Sequence, residues 1–142
     1  MDIEECIRFA NENPVAWVAT TSGDQPRVRP LQMWFADMTG FYFQTLMMKD
    51  IYREITKNPR VELGFWKPGE GGGTVLRVAG PVEWVDDPAL KRRSFEERPF
   101  LADLGLTAES PELVLFCLRK GEAYIWTVAT NFAPKQKIRF GD

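Results

Sequence analysis

The stretch QPRVRPLQMWFADMTGFYFQT, Gln25 to Thr45, decides how this chain is read, together with Lys49 just beyond it. It reads as two strands joined by a turn. Arg27 and Arg29 stand two residues apart on the first strand. Strand side chains alternate between faces, so both guanidinium groups point to the same side. Phe41 to Thr45 is the returning strand. It ends where a helix begins, which puts Lys49 in or near the first helical turn. Two arginines, a strand end, a helix N-terminus and a lysine together make an anion site. Trp34, Phe35, Phe41, Tyr42 and Phe43 lie around it, so a phosphate joined to a flat aromatic system suits the setting. The competing reading is that Arg27 and Arg29 only solvate the outer face of a strand, the ordinary case for exposed charge.

Outward from this stretch, the N-terminal side supplies a helix and a strand. Asp2 and Glu5 have capping-box spacing. Ile3, Cys6, Ile7 and Ala10 then mark one face of a short helix that Asn13-Pro14 ends. Val15 to Thr20 is an apolar run of strand formers, and Ser22-Gly23-Asp24 is a turn. The strand from Gln25 to Ala36 carries Pro26 and Pro30. Proline cannot donate to a ladder, so this strand belongs at a sheet edge or carries bulges. Asp37-Met38-Thr39-Gly40 is the hairpin turn into Phe41.

On the C-terminal side, Met48 to Lys57 reads as a helix with Ile51, Tyr52 and Ile55 on one face, closed by Asn58-Pro59. Arg60 to Trp66 alternates as a strand, and Lys67 to Gly73 is a flexible loop. That loop lacks the G-K-[ST] ending of a phosphate loop. Thr74 to Val85 is a long strand with a bulge expected at Gly80-Pro81. Asp87-Pro88 is a helix cap followed by proline at the first helical position, and a charged surface helix runs to Phe95. Phe100 to Leu106 extends it or starts another. Glu112 to Arg119 and Ala123 to Val128 are strands, and Ala129 to Asp142 has no clear period. The pattern gives about seven strands with short helices between them. It favours one mainly β domain over 1–142, an antiparallel barrel with helices outside, because closure removes exposed edges.

Composition narrows the function. The 142 residues are enough for one domain with a real core. The net charge of −2 attracts neither nucleic acid nor anionic membrane, so an anion site must be a local cluster. Five Trp and ten Phe must fill a core, an interface or a ligand slot. A homodimer with an interface around Trp34–Phe35 and Trp126 accommodates the surplus. The absence of histidine removes His-based acid–base catalysis, His-ligated haem and most zinc sites, and no metal site is assigned. Asp86-Asp87 is better explained by a helix cap than by a metal. Cys6 and Cys117 lie far apart, as free buried thiols do, and a reducing cytoplasm fits them. The segment MDIEECIRF shows no signal-peptide pattern, and no apolar run reaches ~18 residues.

The order of these pieces resembles the FMN-binding split-barrel proteins related to pyridoxamine 5′-phosphate oxidase. VAWVATTSGDQPRVRP is similar to the family's first hairpin, ending in an R-V-R-P-type strand. FYFQT is similar to its next strand, and KDIYREITKNPRVEL to its lysine-bearing helix and Asn-Pro turn. LRVAGPVEWVDD resembles its long R-V-x-G strand. The resemblance covers roughly residues 6 to 87 and rests on order and spacing rather than on one motif.

The resemblance implies an antiparallel split β-barrel, and a homodimer with FMN at the subunit interface. By position, Arg27, Val28, Arg29 and Pro30 would line the ribityl chain and ring edge. Gln44 and Thr45 would offer groups to the flavin, while Lys49, Asp50 and the adjacent backbone would hold the phosphate. Trp126 is a candidate for stacking or for the interface, with a core role as the alternative. The implied function is an FMN-dependent oxidoreductase on a small molecule, with NAD(P)H as candidate electron donor and no catalytic residue assigned. The alternatives are a non-catalytic flavin-binding or redox-responsive protein, and the same barrel binding deazaflavin F420 or haem. Two departures stand out. The oxidase's Trp/Arg substrate signature is not apparent in the tail, and the histidine often used by nitroimidazole-reducing and haem-degrading relatives is missing.

Overall fold

In the computed structural model, which describes residues 2–141, the capping box at the N-terminus is complete. The Asp2 carboxylate accepts from the Glu5 N–H, and the Glu5 carboxylate accepts from the Asp2 N–H. Helix α1 (Ile3–Glu12) follows and buries Cys6 and Ala10. Strand β1 (Val15–Ser22) turns Ala16, Val18 and Thr20 inward and leaves Val15 and Trp17 exposed. Gly23, at φ +63°, makes the tight turn into β2 (Gln25–Gln32), which pairs antiparallel with β1 along its whole length.

The segment read as one strand from Gln25 to Ala36 is two. β2 ends at Gln32, and β3 (Phe35–Asp37) pairs with β4 (Gly40–Leu46). Between them Met33 is buried and Trp34 already donates its N–H to the Tyr42 carbonyl. The chain exchanges one neighbour for another there, and a single strand cannot follow both.

Helix α2 (Asp50–Lys57) leads into β5 (Arg60–Lys67), then a 3-10 turn at Glu70–Gly72 and the long β6 (Thr74–Val85). Helices α3 (Pro88–Glu97) and α4 (Phe100–Asp103) form an arm before β7 (Leu113–Leu118) and β8 (Gly121–Trp126). The Asp87 carboxylate caps α3 by accepting from the Ala89 and Leu90 N–H groups. The tail carries a 3-10 turn at Val128–Thr130 and a short β9 (Ile138–Phe140), which pairs with β8.

The nine strands of the described residues pair antiparallel in one sheet of order β2-β1-β5-β6-β7-β4-β3, with β8 beside β6 and β9 beside β8. β2 is at an edge, as its prolines require. β6 splits the barrel. Its Val75–Ala79 half pairs with β8, and its Val82–Val85 half pairs with β7. Gly80-Pro81 marks this change of partner. Proline has no N–H to lose there, and a Cβ on Gly80 would stand 2.3 Å from the Lys120 carbonyl oxygen. The interior holds Phe41, Phe43, Phe65, Phe116, Leu76 and Val18, with the Phe43 and Phe116 rings stacked at 5.2 Å. Among the described residues no helix is long and apolar enough to cross a membrane.

Candidate functional site

β3 accompanies β4 only from Gly40 to Tyr42, so the β3 side of β4 carries no ladder over Gln44–Leu46. Likewise β2 has a partner on one side only. Where these two open edges face each other, a cleft of about 390 Å³ forms. Pro30, Leu31 and Gln32 line one wall, and Gln44, Thr45 and Leu46 the other, with Lys49 at one end. The arm covers it with Arg98, Phe100, Leu101 and Leu104. A small apolar cluster of Leu101, Leu106 and Leu113, packed by Leu46 and Phe95, pins the arm in place.

Two features give the cleft its chemistry. The first is charge. It is lined by two cations, Lys49 and Arg98, and by no aspartate or glutamate among the described residues. The second is a helix start. Lys49 is the N-cap of α2, and no side chain caps the helix. The Lys49 N–H bonds the Leu46 carbonyl and the Tyr52 N–H bonds the Lys49 carbonyl. The Asp50 and Ile51 N–H groups remain for solvent or a ligand. The Thr45 hydroxyl is buried without a hydrogen-bond partner among the described residues, and strand alternation puts it on the Phe41 and Phe43 side of β4, opposite Gln44 and Leu46.

Arg98 holds the two walls together. Its Nη1 donates to Gln44 Oε1 at 2.9 Å and its Nη2 to the Gln32 carbonyl at 3.2 Å, while the Phe100 ring lies 5.0 Å away. Gln44 Nε2 donates in turn to Ser94 Oγ at 2.8 Å, so the Gln44 amide is fixed at both ends. Burial pushes the Arg98 pKa down, yet a guanidinium stays protonated in proteins.

Of the residues singled out in the sequence, Pro30, Gln44, Thr45 and Lys49 come together in this cleft. Arg29 is placed elsewhere. Its guanidinium pairs with Glu54 on α2, donates to Thr20 Oγ1 at 2.7 Å and donates to the Val18 carbonyl at 3.2 Å. Burial opposes ionisation of Glu54. Hydrogen bonds from Thr20 and Arg29, with the Arg29 charge, outweigh it and hold the carboxyl below its usual range. Arg27 is exposed on the same side of β2, and Val28 is exposed on the opposite side. Asp50 is exposed and pairs with Arg53 at 3.2 Å. Trp126 lies outside the cleft, on β8 opposite Val75, with its indole N–H donating to Asn131.

Arg98 and the arm were not visible in the sequence as site residues. The signal was weak: Phe95, Leu101 and Leu106 flank a charged run, which marks a docked segment rather than a solvated one. Trp34 and Phe35, expected at an interface, are half-buried beside α3. Arg93 sits 5.2 and 4.9 Å from their ring centroids, and the Trp34 indole donates to Glu97.

A family model described as pyridoxamine 5′-phosphate oxidase matches residues 3–126. No curated protein matches the chain in sequence. Among solved structures, the fold is similar to that of a NimC/NimA family protein from Clostridium acetobutylicum. That pair is 24% identical with a TM-score of 0.79, over 96% of this chain and 91% of that one. An FAD-binding protein from Mesorhizobium loti is 21% identical at a TM-score of 0.68, covering 88% of this chain and 94% of its own. The haem storage protein HutZ from Vibrio cholerae is 17% identical at a TM-score of 0.67, covering 89% and 95%. At these identities the likeness is one of fold.

Proposed function

This chain belongs to the pyridoxamine 5′-phosphate oxidase family, and on that premise we propose that its cleft binds FMN in an oxidoreductase acting on a small molecule. The observation that carries the reading is the charge of the cleft, which is lined by two cations and by no acid among the described residues. A phosphate dianion meets the Lys49 ammonium and the free N–H groups at the start of α2. The walls beyond are apolar, with Leu31, Leu46, Phe100 and Leu104 beside a few polar groups, which suits a flat ring system. FMN supplies the redox chemistry when bound, and this chain binds it, orients it and excludes water from it.

Haem fits the cleft less well. The chain has no histidine to ligate iron, and neither Cys6 nor Cys117 lines the cleft. Titration of the purified apo-protein with FMN and with haem, followed by visible absorption, tests this reading. Saturable FMN binding is expected. Saturable haem binding without FMN binding would overturn it.

The protein acts as a homodimer in this reading, through a face other than the one expected around Trp34. Val15, Trp17, Val28 and Pro30 share the outer face of β1 and β2, and the β1–β5 register puts Gly64 and Trp66 on the same face. Trp17 and Trp66 are 51% and 54% exposed. Aromatic residues so exposed on one sheet face are the kind of anchor an interface uses.

A further inference from the structure

Arg98 is the most buried cation in the described structure, at 8% exposure, and it has no acidic partner within ion-pair distance among the described residues. Its nearest acid in sequence, Glu97, is taken by Arg93 and by the Trp34 indole. Burying a charge without a counter-charge is costly, and hydrogen bonds from neutral groups offset only part of that cost. Gln44 and the Gln32 carbonyl are neutral acceptors, so the positive charge of Arg98 is left uncompensated inside the cleft.

We infer that Arg98 is a cofactor-binding residue whose charge favours the reduced, anionic form of the flavin ring over the oxidised, neutral form. The inference rests on the FMN reading above. The phosphate already has Lys49 and the α2 N–H groups at the helix start. Arg98 instead bonds groups of the β2 and β4 strands and lies among Phe100, Leu101 and Leu104. A phosphate dianion would lose its hydration against such a wall. A single charge delocalised over a flat ring tolerates it better. Two electrons and one proton convert the neutral oxidised ring into a reduced ring carrying one negative charge. A fixed cation in a low-dielectric site stabilises that product and raises the potential. Gln44 and Ser94 are positioning residues, because the Ser94–Gln44–Arg98 chain fixes where the guanidinium stands.

The test uses FMN-loaded wild type, Arg98→Lys and Arg98→Gln. Dithionite is the reductant in the potential measurement, and sulfite is the second probe, since its adduct with the flavin ring also carries negative charge. Arg98→Gln is expected to weaken sulfite binding roughly tenfold or more. It is also expected to lower the potential by about 30 mV for each tenfold. Arg98→Lys keeps the charge and is expected to retain most of both. Preference for FMN over riboflavin is expected to survive in both variants.

Unchanged potential and sulfite affinity in Arg98→Gln would overturn the inference. So would loss of the FMN preference, which would make Arg98 a phosphate ligand. Should Arg98→Gln not fold, the wild type still decides. Bound FMN is expected at or above the potential of free FMN, and a bound potential well below it overturns the inference. A wild type that binds no flavin refutes the FMN reading itself and is seen before any variant is made.

Discussion

Arg29 on β2 is paired with Glu54 on α2, so the edge strand is tied to the helix that starts at the cleft. Thr20 completes the unit, accepting from Arg29 and donating to Glu54 at 2.6 Å. Glu54 is 4% exposed. Removing Arg29 therefore leaves a carboxylate buried with one remaining donor. Arg29→Ala is expected to destabilise the fold by about 3 kcal/mol, the low end for breaking a buried pair. In a thermal melt that is a drop on the order of 10 °C. A loss within about 0.5 kcal/mol, the range of an ordinary surface change, would show that the pair contributes little.

The same pair sets a pH dependence. The folded-state pKa of Glu54 lies below its ordinary value, so in acid the unfolded chain binds the proton more readily than the folded one. The stability this adds is fully present above the unfolded carboxylate range and is lost as pH falls through the folded pKa. Denaturant midpoints of wild type and Glu54→Gln should therefore differ most at neutral pH and converge as the pH falls below the usual carboxylate range. A difference that stays constant over that range would remove the pair as its source.

Cys6 and Cys117 are fully buried, and burial pushes both thiols up to about 11. Thiolate is the reactive form, so native protein at neutral pH should react slowly with alkylating reagents and rapidly once unfolded. Cys6→Ser should keep bound FMN. Fast modification of the native protein, or loss of flavin in that variant, would put a cysteine in the functional site.

The outer face of β1 and β5 gives the dimer a defined test. Trp17→Asp places a charge at the centre of the proposed interface and should yield monomers in sedimentation, with the wild type dimeric at micromolar concentration. A monomeric wild type with FMN bound would contradict the dimer.

Much of this architecture is written locally. The Asp2–Glu5 box, the Asp87-Pro88 cap and the alternation through Arg60–Trp66 each depend on neighbouring residues, and each forms as its pattern requires. β9 is different. Its three residues have no period to read, and they form a strand because β8 offers an edge. The site divides in the same way. Gln44, Thr45 and Lys49 follow from a strand running into a helix. Arg29 has the right residue type and the right strand, but its partner Glu54 is fixed only when α2 packs on β1. Arg98 lies in a charged run, and its burial arises from contact with Gln44, 54 residues away.

In the proposed site Lys49 and the start of α2 hold the FMN phosphate. Affinities of wild type and Lys49→Ala for FMN and for riboflavin test it most directly, since the two ligands differ only by that phosphate. Wild type should bind FMN at least about tenfold more tightly than riboflavin, from one or more charged hydrogen bonds. In Lys49→Ala that ratio should fall toward one through weaker FMN binding, with riboflavin affinity unchanged. Equal affinity of the wild type for the two flavins, or a ratio untouched by the substitution, would contradict the account.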